Sequence, residues 1–306
     1  MFTSPPAPIA SFRFDDAQEQ ASVLTGWNQA YLQLSPGSFR GEISQIQGSG
    51  IRLFLEQVQQ SVYQTGALAN NVLAIGVPLE TEGTGVFCGS VCGPDSFHVF
   101  SGQSGFEFRS SRKHTMLGIE LKLDKTFSNS SLLQGARAVV PSLSEIAEVR
   151  AYLLSLFRAA KLNPALLATP AVMAIVADYL LDRMDHFGTE GEPHQDVCAH
   201  WELVQKACAL ANEQWEAPLT VAQLCHRLDV SRRTLQNGFQ RVLDVSPLSY
   251  LKALRLGQAR NLLKKAHTVT DAATACGFWH FGHFSQDYQS MFGERPSDTL
   301  RDHARM

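Results

Sequence analysis

A chain of 306 residues is long enough for two domains, and 44% hydrophobic against 18% charged residues excludes a disordered chain. The net charge of -3 is unevenly spread: residues 1–197 carry 13 Lys and Arg against 19 Asp and Glu, whereas residues 198–306 carry 13 against 10. The second half is thus only mildly basic, at +3, so any polyanionic partner there would be held by a limited number of charge contacts.

No apolar run reaches the 18 or so residues that span a bilayer, since the most apolar stretch, 171–181, is broken by Asp178. The start lacks a basic region ahead of an apolar one, so no signal peptide is read and the expected location is cytoplasmic, nucleoid-associated when bound to DNA. The six cysteines, at 88, 92, 198, 208, 225 and 276, show neither secreted-scaffold density nor zinc-finger spacing, and are expected as reduced thiols.

In chain order, residues 1–20, with Pro5, Pro6 and Pro8 among polar neighbours, read as a loosely held arm. A short helix is expected from Trp27 through Tyr31 and Leu32. Residues 39–108 alternate in short apolar pieces between Gly-rich turns at 48–50, 83–85 and 102–105, the pattern of a sandwich or barrel, and residues 115–122 add a strand. After Pro141 the period becomes helical. Residues 143–160 place Ile146, Val149, Leu153, Leu156 and Phe157 on one stripe, with Ser142 or Ser144 as cap. Residues 166–187 read as a second helix with Pro170 near its start, apolar on more than one side, which suits packing on the strands or a dimer face. The polar run that follows makes 188–197 a linker between a domain at 1–187 and one at 198–306, the latter opening on a helix over 198–216.

The last hundred residues write one pattern twice. Thr220 to Leu224, a turn at Asp229, then Ser231, Leu235, Phe239 and Pro247 recur as Thr268 to Ala272, Gly277, His280, Phe284, Tyr288 and Pro296. The offset is 48 before the turn and 49 after it, so one residue was added inside the second turn. Gly277 tolerates a left-handed backbone, Asp229 is among the few other side chains that visit it, and Ser231 suits an N-cap. Each copy, at 219–243 and 268–292, is thus a helix-turn-helix unit. Residues 248–265 join them as one helix of about 27 Å, which with side-chain reach approaches the ~34 Å between successive major grooves on one face of DNA.

These residues resemble the DNA-binding domain of the AraC/XylS regulators. The runs Ser-Arg-Arg-Thr-Leu-Gln-Asn at 231–237 and Gly-Phe-Trp-His-Phe-Gly-His-Phe at 277–284 resemble the ethanolamine-operon subgroup. The resemblance implies an α+β protein: a cupin-like N-terminal barrel or sandwich with attached helices that senses an effector or dimerises, and an all-α C-terminal domain. It further implies a sequence-specific transcription factor, most often an activator, acting as a homodimer on double-stranded DNA with RNA polymerase as a possible partner and no enzymatic activity. The subgroup implies a cobalamin or a small amine or amino alcohol as effector, with no cofactor required.

Arg232, Arg233, Gln236 and Asn237 are the outward positions of the first recognition helix, and their donor and acceptor geometry suits guanine and adenine edges. Where many relatives carry Arg, the second copy has His280, His283 and Gln286, with Trp279 and Phe281 near the start; neutral imidazoles add no counterion release. Phosphate contacts are expected from Thr220, Ser231, Arg241, Arg255 and Thr270, although Arg255 and Arg260 also suit packing or internal ion pairs. In the N-terminal half, Phe97, His98, Phe106 and Phe108 are candidates for an effector pocket, or are ordinary core.

Competing chemistry has less support. Cys276, His280 and His283 are metal-ligand types, but the two imidazoles belong to a helix assigned to DNA. Cys88 and Cys92 suit a redox or cobalt-related role, or buried packing. His98 and His114 stand alone among the strands, short of the cluster a metal-dependent barrel enzyme needs, and neither a nucleophile elbow nor a Walker-type loop appears. A ligand-independent regulator and a small-molecule-binding barrel with a vestigial DNA reader are the alternatives.

Overall fold

The computed structural model describes residues 9–102, 104–123, 135–187, 195–213 and 219–303, which form two compact units. The linker expected at 188–197 lies outside these residues up to 194, and 195–197 are already helical. No helix among the described residues is long and apolar enough to cross a membrane.

The first unit is built on two sheets that do not close into a barrel, the larger of them antiparallel throughout. One orders its seven strands as β1 (Ile9–Phe14), β3 (Gly41–Gln47), β4 (Ile51–Val58), β11 (His114–Lys122), β6 (Val72–Thr81), β9 (Phe97–Ser101) and β12 (Arg137–Val139). The other runs β2 (Trp27–Gln33), β5 (Val62–Leu68), β10 (Gly105–Arg109), β7 (Gly85–Phe87) and β8 (Ser90–Cys92).

Three segments differ from the sequence expectation. Part of the supposed arm is β1, which pairs with β3 from Ile9 opposite Ile46 to Phe14 opposite Gly41. It is mostly exposed and held by its ladder, a Ser11–Ser44 hydrogen bond of 2.8 Å and an Arg13–Glu42 ion pair of 3.3 Å; its short alternation of Ala10, Phe12 and Phe14 follows directly on the prolines that suggested an arm. The helix lies at α1 (Ala17–Ala21), where the Asp16 carboxylate accepts the Gln18 and Glu19 N–H groups. The helix expected from Trp27 is instead β2: Trp27 and Tyr31 are four apart, a spacing that shares one face in a helix and equally in a strand. Both are buried.

The face of the large sheet that meets the small one packs Phe54, Phe100 and Met116 against Trp27, Phe87, Phe106 and Phe108. Its opposite face, with Leu53, Ile75, Val99, Leu117 and Ile119, is covered by two helices. Alternation along β11 feeds both cores, and Gly118 leaves the space occupied by the Phe54 ring. The first helix, α2 (Leu143–Leu162), begins with a capping box between Ser142 and Glu145 and buries Ile146, Val149, Leu153 and Phe157. The second is split: Pro164–Ala168 is a 3-10 turn, and α3 (Pro170–His186) starts at Pro170 because a proline both lacks an N–H and pushes the preceding Thr169 into the extended region. Val176, Leu180, Leu181 and Met184 bury against the sheet, while Ile175 remains 65% exposed.

The second unit comprises His194–Met306 together with Leu32–Phe39 and Gln60–Tyr63. It contains α4 (Gln195–Glu213), α5 (Val221–Leu228), α6 (Arg232–Leu243), α7 (Pro247–Leu263), α8 (Val269–Ala275), α9 (Phe281–Phe292) and α10 (Pro296–His303). The connector α7 opens on Pro247 behind Ser246, whose hydroxyl accepts the Ser249 N–H. Its Tyr250 stands edge-on to Phe239 of α6 at 5.4 Å, while Leu256, Ala259 and Leu263 pack with Ala272, Phe284, Tyr288 and Phe292. One helix thus carries part of both cores. Gly238 faces Val204 of α4, with only about 3.2 Å available for a Cβ, so α6 and α4 approach closely there.

Candidate nucleic-acid interface

In the first copy, α5 is started by a reciprocal box in which Thr220 accepts the Gln223 N–H and Gln223 Oε1 accepts the Thr220 N–H at 2.8 Å. It ends at Asp229, whose left-handed backbone (φ 52°, ψ 47°) turns the chain, and Ser231 then caps α6 by accepting the Thr234 N–H at 3.1 Å. Leu235, Phe239 and Val242 are buried on one face of α6, which leaves Arg232, Arg233, Gln236 and Asn237 exposed on the other.

An open groove of about 730 Å³ collects Arg232, Arg233 and Gln236 with Thr220, Leu248 and Arg255. Three expected base readers and two expected phosphate contacts therefore share one surface. Asn237 and Arg241 are exposed on the same helix outside the groove, and the Ser231 hydroxyl is engaged as a cap. Arg255 is half-buried: its guanidinium lies 4.9 Å over the Phe278 ring, and burial lowers its pKa from the ordinary arginine value. The packing alternative for Arg260 is observed, with an ion pair to Glu294 at 2.9 Å and the Phe292 ring at 4.7 Å.

In the second copy, Thr268 caps α8 by accepting the Asp271 N–H at 3.1 Å, and Gly277 makes the left-handed turn at φ 74°. α9 begins behind His280, whose side chain makes no capping bond. Phe284, Tyr288 and Phe292 are buried; His280, His283 and Gln286 are exposed, and the two imidazoles stand 6.3 Å apart. A smaller cleft of about 190 Å³ gathers Gln286 with Ser285, Gln289 and Arg295, but neither histidine nor Thr270, which is exposed on α8. Ser285, Gln289 and Arg295 were missed by the sequence reading, although the offset of 49 maps Ser285 onto Gln236 and Arg295 onto Ser246. Cys276 is fully buried, its thiol pushed up to about 11, so it is not gathered with the exposed imidazoles. Among the described residues, no group of three or more His, Cys, Asp or Glu is arranged to hold a metal.

In the sheet unit the four effector candidates separate. His98 lies parallel to Phe87 at 4.8 Å and near Phe108 at 4.8 Å, in the aromatic core that also holds Phe106. Phe97, one residue away, points to the opposite face and meets Phe187 at 5.8 Å. His114 stacks on His98 at 6.4 Å, and no ring nitrogen of the pair has a hydrogen-bond partner. Burial lowers their pKa values to about 3 for His98 and about 4 for His114, and it pushes the Cys88 and Cys92 thiols up to about 12. An open recess of about 560 Å³, not anticipated from the sequence, is lined by Arg13, Arg40, Lys113, Asp15, Glu42 and Glu80, among others.

Residues 224–302 match the helix-turn-helix domain family HTH_18. The probable thc operon regulatory protein of Rhodococcus erythropolis is 42% identical over 103 residues, covering 32% of this chain and 31% of that protein. The HTH-type transcriptional regulator GbdR of Pseudomonas aeruginosa is 38% identical over 96 residues, covering 31% of this chain and 26% of that one. The crystal structure of a probable AraC family transcriptional regulator from Rhodopseudomonas palustris is 38% identical, covers 33% of this chain and 97% of its own, and has a TM-score of 0.32. The chain spans about a third or less of the length of these two curated relatives, and both alignments cover about a third of it. Residues 224–302 therefore belong to the helix-turn-helix domain family HTH_18, which this chain shares with the transcriptional regulators it resembles.

Proposed function

We propose that this chain is a sequence-specific DNA-binding transcriptional regulator in which the first helix-turn-helix unit is the principal reader. The observation that carries the reading is the groove where Arg232, Arg233 and Gln236 stand beside Thr220 and Arg255, so that base-edge and phosphate donors face one duplex. It acts in the cytoplasm as a homodimer and activates transcription beside RNA polymerase, as the family resemblance implies. Arg233→Ala or Gln236→Ala is expected to relax discrimination at one base pair by about 1–3 kcal/mol. Gel shifts on a selected operator and on random DNA check this; equal losses on both would show that these side chains hold only the backbone.

The sheet unit is the sensing half in this reading. A small amine or amino alcohol suits the mixed-charge recess, where its ammonium competes for the Glu42 and Glu80 carboxylates that Arg13 and Lys113 pair at 3.3 Å and 3.1 Å. The aromatic candidates His98, Phe106 and Phe108 are packed against one another, so the recess is the favoured seat. The cobalamin alternative and the ethanolamine-operon subgroup rest on the runs at 231–237 and 277–284. Calorimetry of the full chain with ethanolamine and with a cobalamin tests the effector class, and no heat from either overturns it.

A further inference from the structure

Two large aromatic side chains stand exposed at the start of the second recognition helix: Trp279 is 71% and Phe281 is 43% accessible. The duplication shows what they replace. At the offset of 49, His280 takes the place of Ser231, Phe281 that of Arg232 and Gly282 that of Arg233. Before the turn the offset is 48, which matches Phe278 with Val230, so Trp279 has no counterpart and is the added residue. Where the first copy offers two guanidinium groups, the second offers a ring, a bare backbone and an extra indole. A Cβ at Gly282 would meet nothing within 4 Å, so the α9 backbone is open to close approach beside the Phe281 ring.

The only base feature in the major groove that an apolar side chain reads is the thymine C5-methyl group. We infer that Trp279 and Phe281 read thymine methyl groups, so that the half-site facing α9 is rich in A·T pairs and is bound largely by apolar contact. This rests on the DNA-binding reading above and assigns the second copy a different chemistry from the first. His283 and Gln286, both exposed on α9, supply hydrogen bonds beside the apolar contact. With arginine missing from these positions, binding at this half-site carries a shallow salt dependence compared with the first.

The test uses the full chain and DNA, with RNA polymerase added only for the transcription measurement. Sites are selected from a random duplex pool, and thymines in the half-site facing α9 are then replaced singly by deoxyuridine, which deletes only the methyl. Fluorescence anisotropy is expected to show about fourfold weaker binding per methyl removed, the effect of one buried carbon. The same change should do nothing to a Trp279→Ala, Phe281→Ala double variant, which binds thymine DNA as weakly as wild type binds uracil DNA. Phe281→Arg is expected to shift the selected base toward guanine and to steepen the salt dependence. Equal binding of thymine and deoxyuridine sites by wild type overturns the inference while leaving the first copy as reader. So does a double variant that binds DNA normally but fails to support transcription in vitro, which would assign the pair to a protein surface. A pool yielding no selected sequence overturns the DNA-binding reading itself.

Discussion

Arg52→Met is expected to lower the unfolding free energy by about 3–5 kcal/mol, the cost of leaving a buried charge without its partner. Arg52, 3% exposed, lies directly opposite Glu120 on the neighbouring strand. Its guanidinium donates to Glu120 Oε2, with Nε at 3.1 Å, and Nη2 donates to the Thr25 carbonyl at 2.7 Å. The same carboxylate oxygen accepts the Trp27 indole N–H at 2.7 Å. One ion pair therefore links both sheets and the turn that precedes β2. Removing only the cation leaves the largely buried Glu120 with the Trp27 indole N–H but no counter-charge, whereas Arg52→Met with Glu120→Met removes both charges and is expected to recover much of the loss. Urea unfolding followed by near-ultraviolet circular dichroism checks both; a single variant as stable as the double would show that the pair is solvated rather than buried.

Acid is expected to destabilise the sheet unit well above the range of ordinary carboxylate titration. His98 and His114 are fully buried, with folded-state pKa values near 3 and near 4, below the ~6.5 of an unfolded histidine. Lowered values mean that the unfolded chain binds protons first. Their contribution is fully present above pH ~6.5 and is lost progressively as the pH falls toward about 4 for His114 and about 3 for His98, at about 2 kcal/mol per histidine by pH 5. Glu56, buried with Gln20 and Tyr31 as hydrogen-bond partners, has its pKa raised by burial, so its sign is opposite: its contribution grows on acidification and offsets part of the loss. Urea titrations at pH 7.5 and pH 5 measure the difference. His98→Leu should flatten the acid limb by about 2 kcal/mol, and an unchanged limb would mean that the imidazole is not held neutral by burial.

The sequence made different parts of the molecule legible for different physical reasons. The helix-turn-helix copies were readable because their turns demand particular backbones, and Asp229 and Gly277 are both left-handed. The helix at Leu143–Leu162 was readable because its cap and its apolar stripe agree. β1 was not, since an exposed edge strand depends on its neighbour's hydrogen bonds rather than on its own side chains. β2 was misread because Trp27 and Tyr31 satisfy two periods at once. The groove residues of the first copy followed from helical spacing, whereas Ser285, Gln289 and Arg295 come together only when α9 and α10 are placed. The mixed-charge recess draws on strands far apart in sequence, and no local pattern announces such a site.

The start of α9 sets the two readers apart in rigidity. α6 enters behind a serine hydroxyl already bonded to its third amide, while α9 enters behind His280 with no such bond, a difference of about 1 kcal/mol in holding the first turn. Both helices are formed, the first turn of α9 being closed by the Phe284 N–H to His280 carbonyl bond of 3.0 Å, but without a side-chain cap the opening of α9 frays more readily than that of α6. On the DNA-binding reading proposed above, the second copy is thus the one that yields to the shape of its half-site.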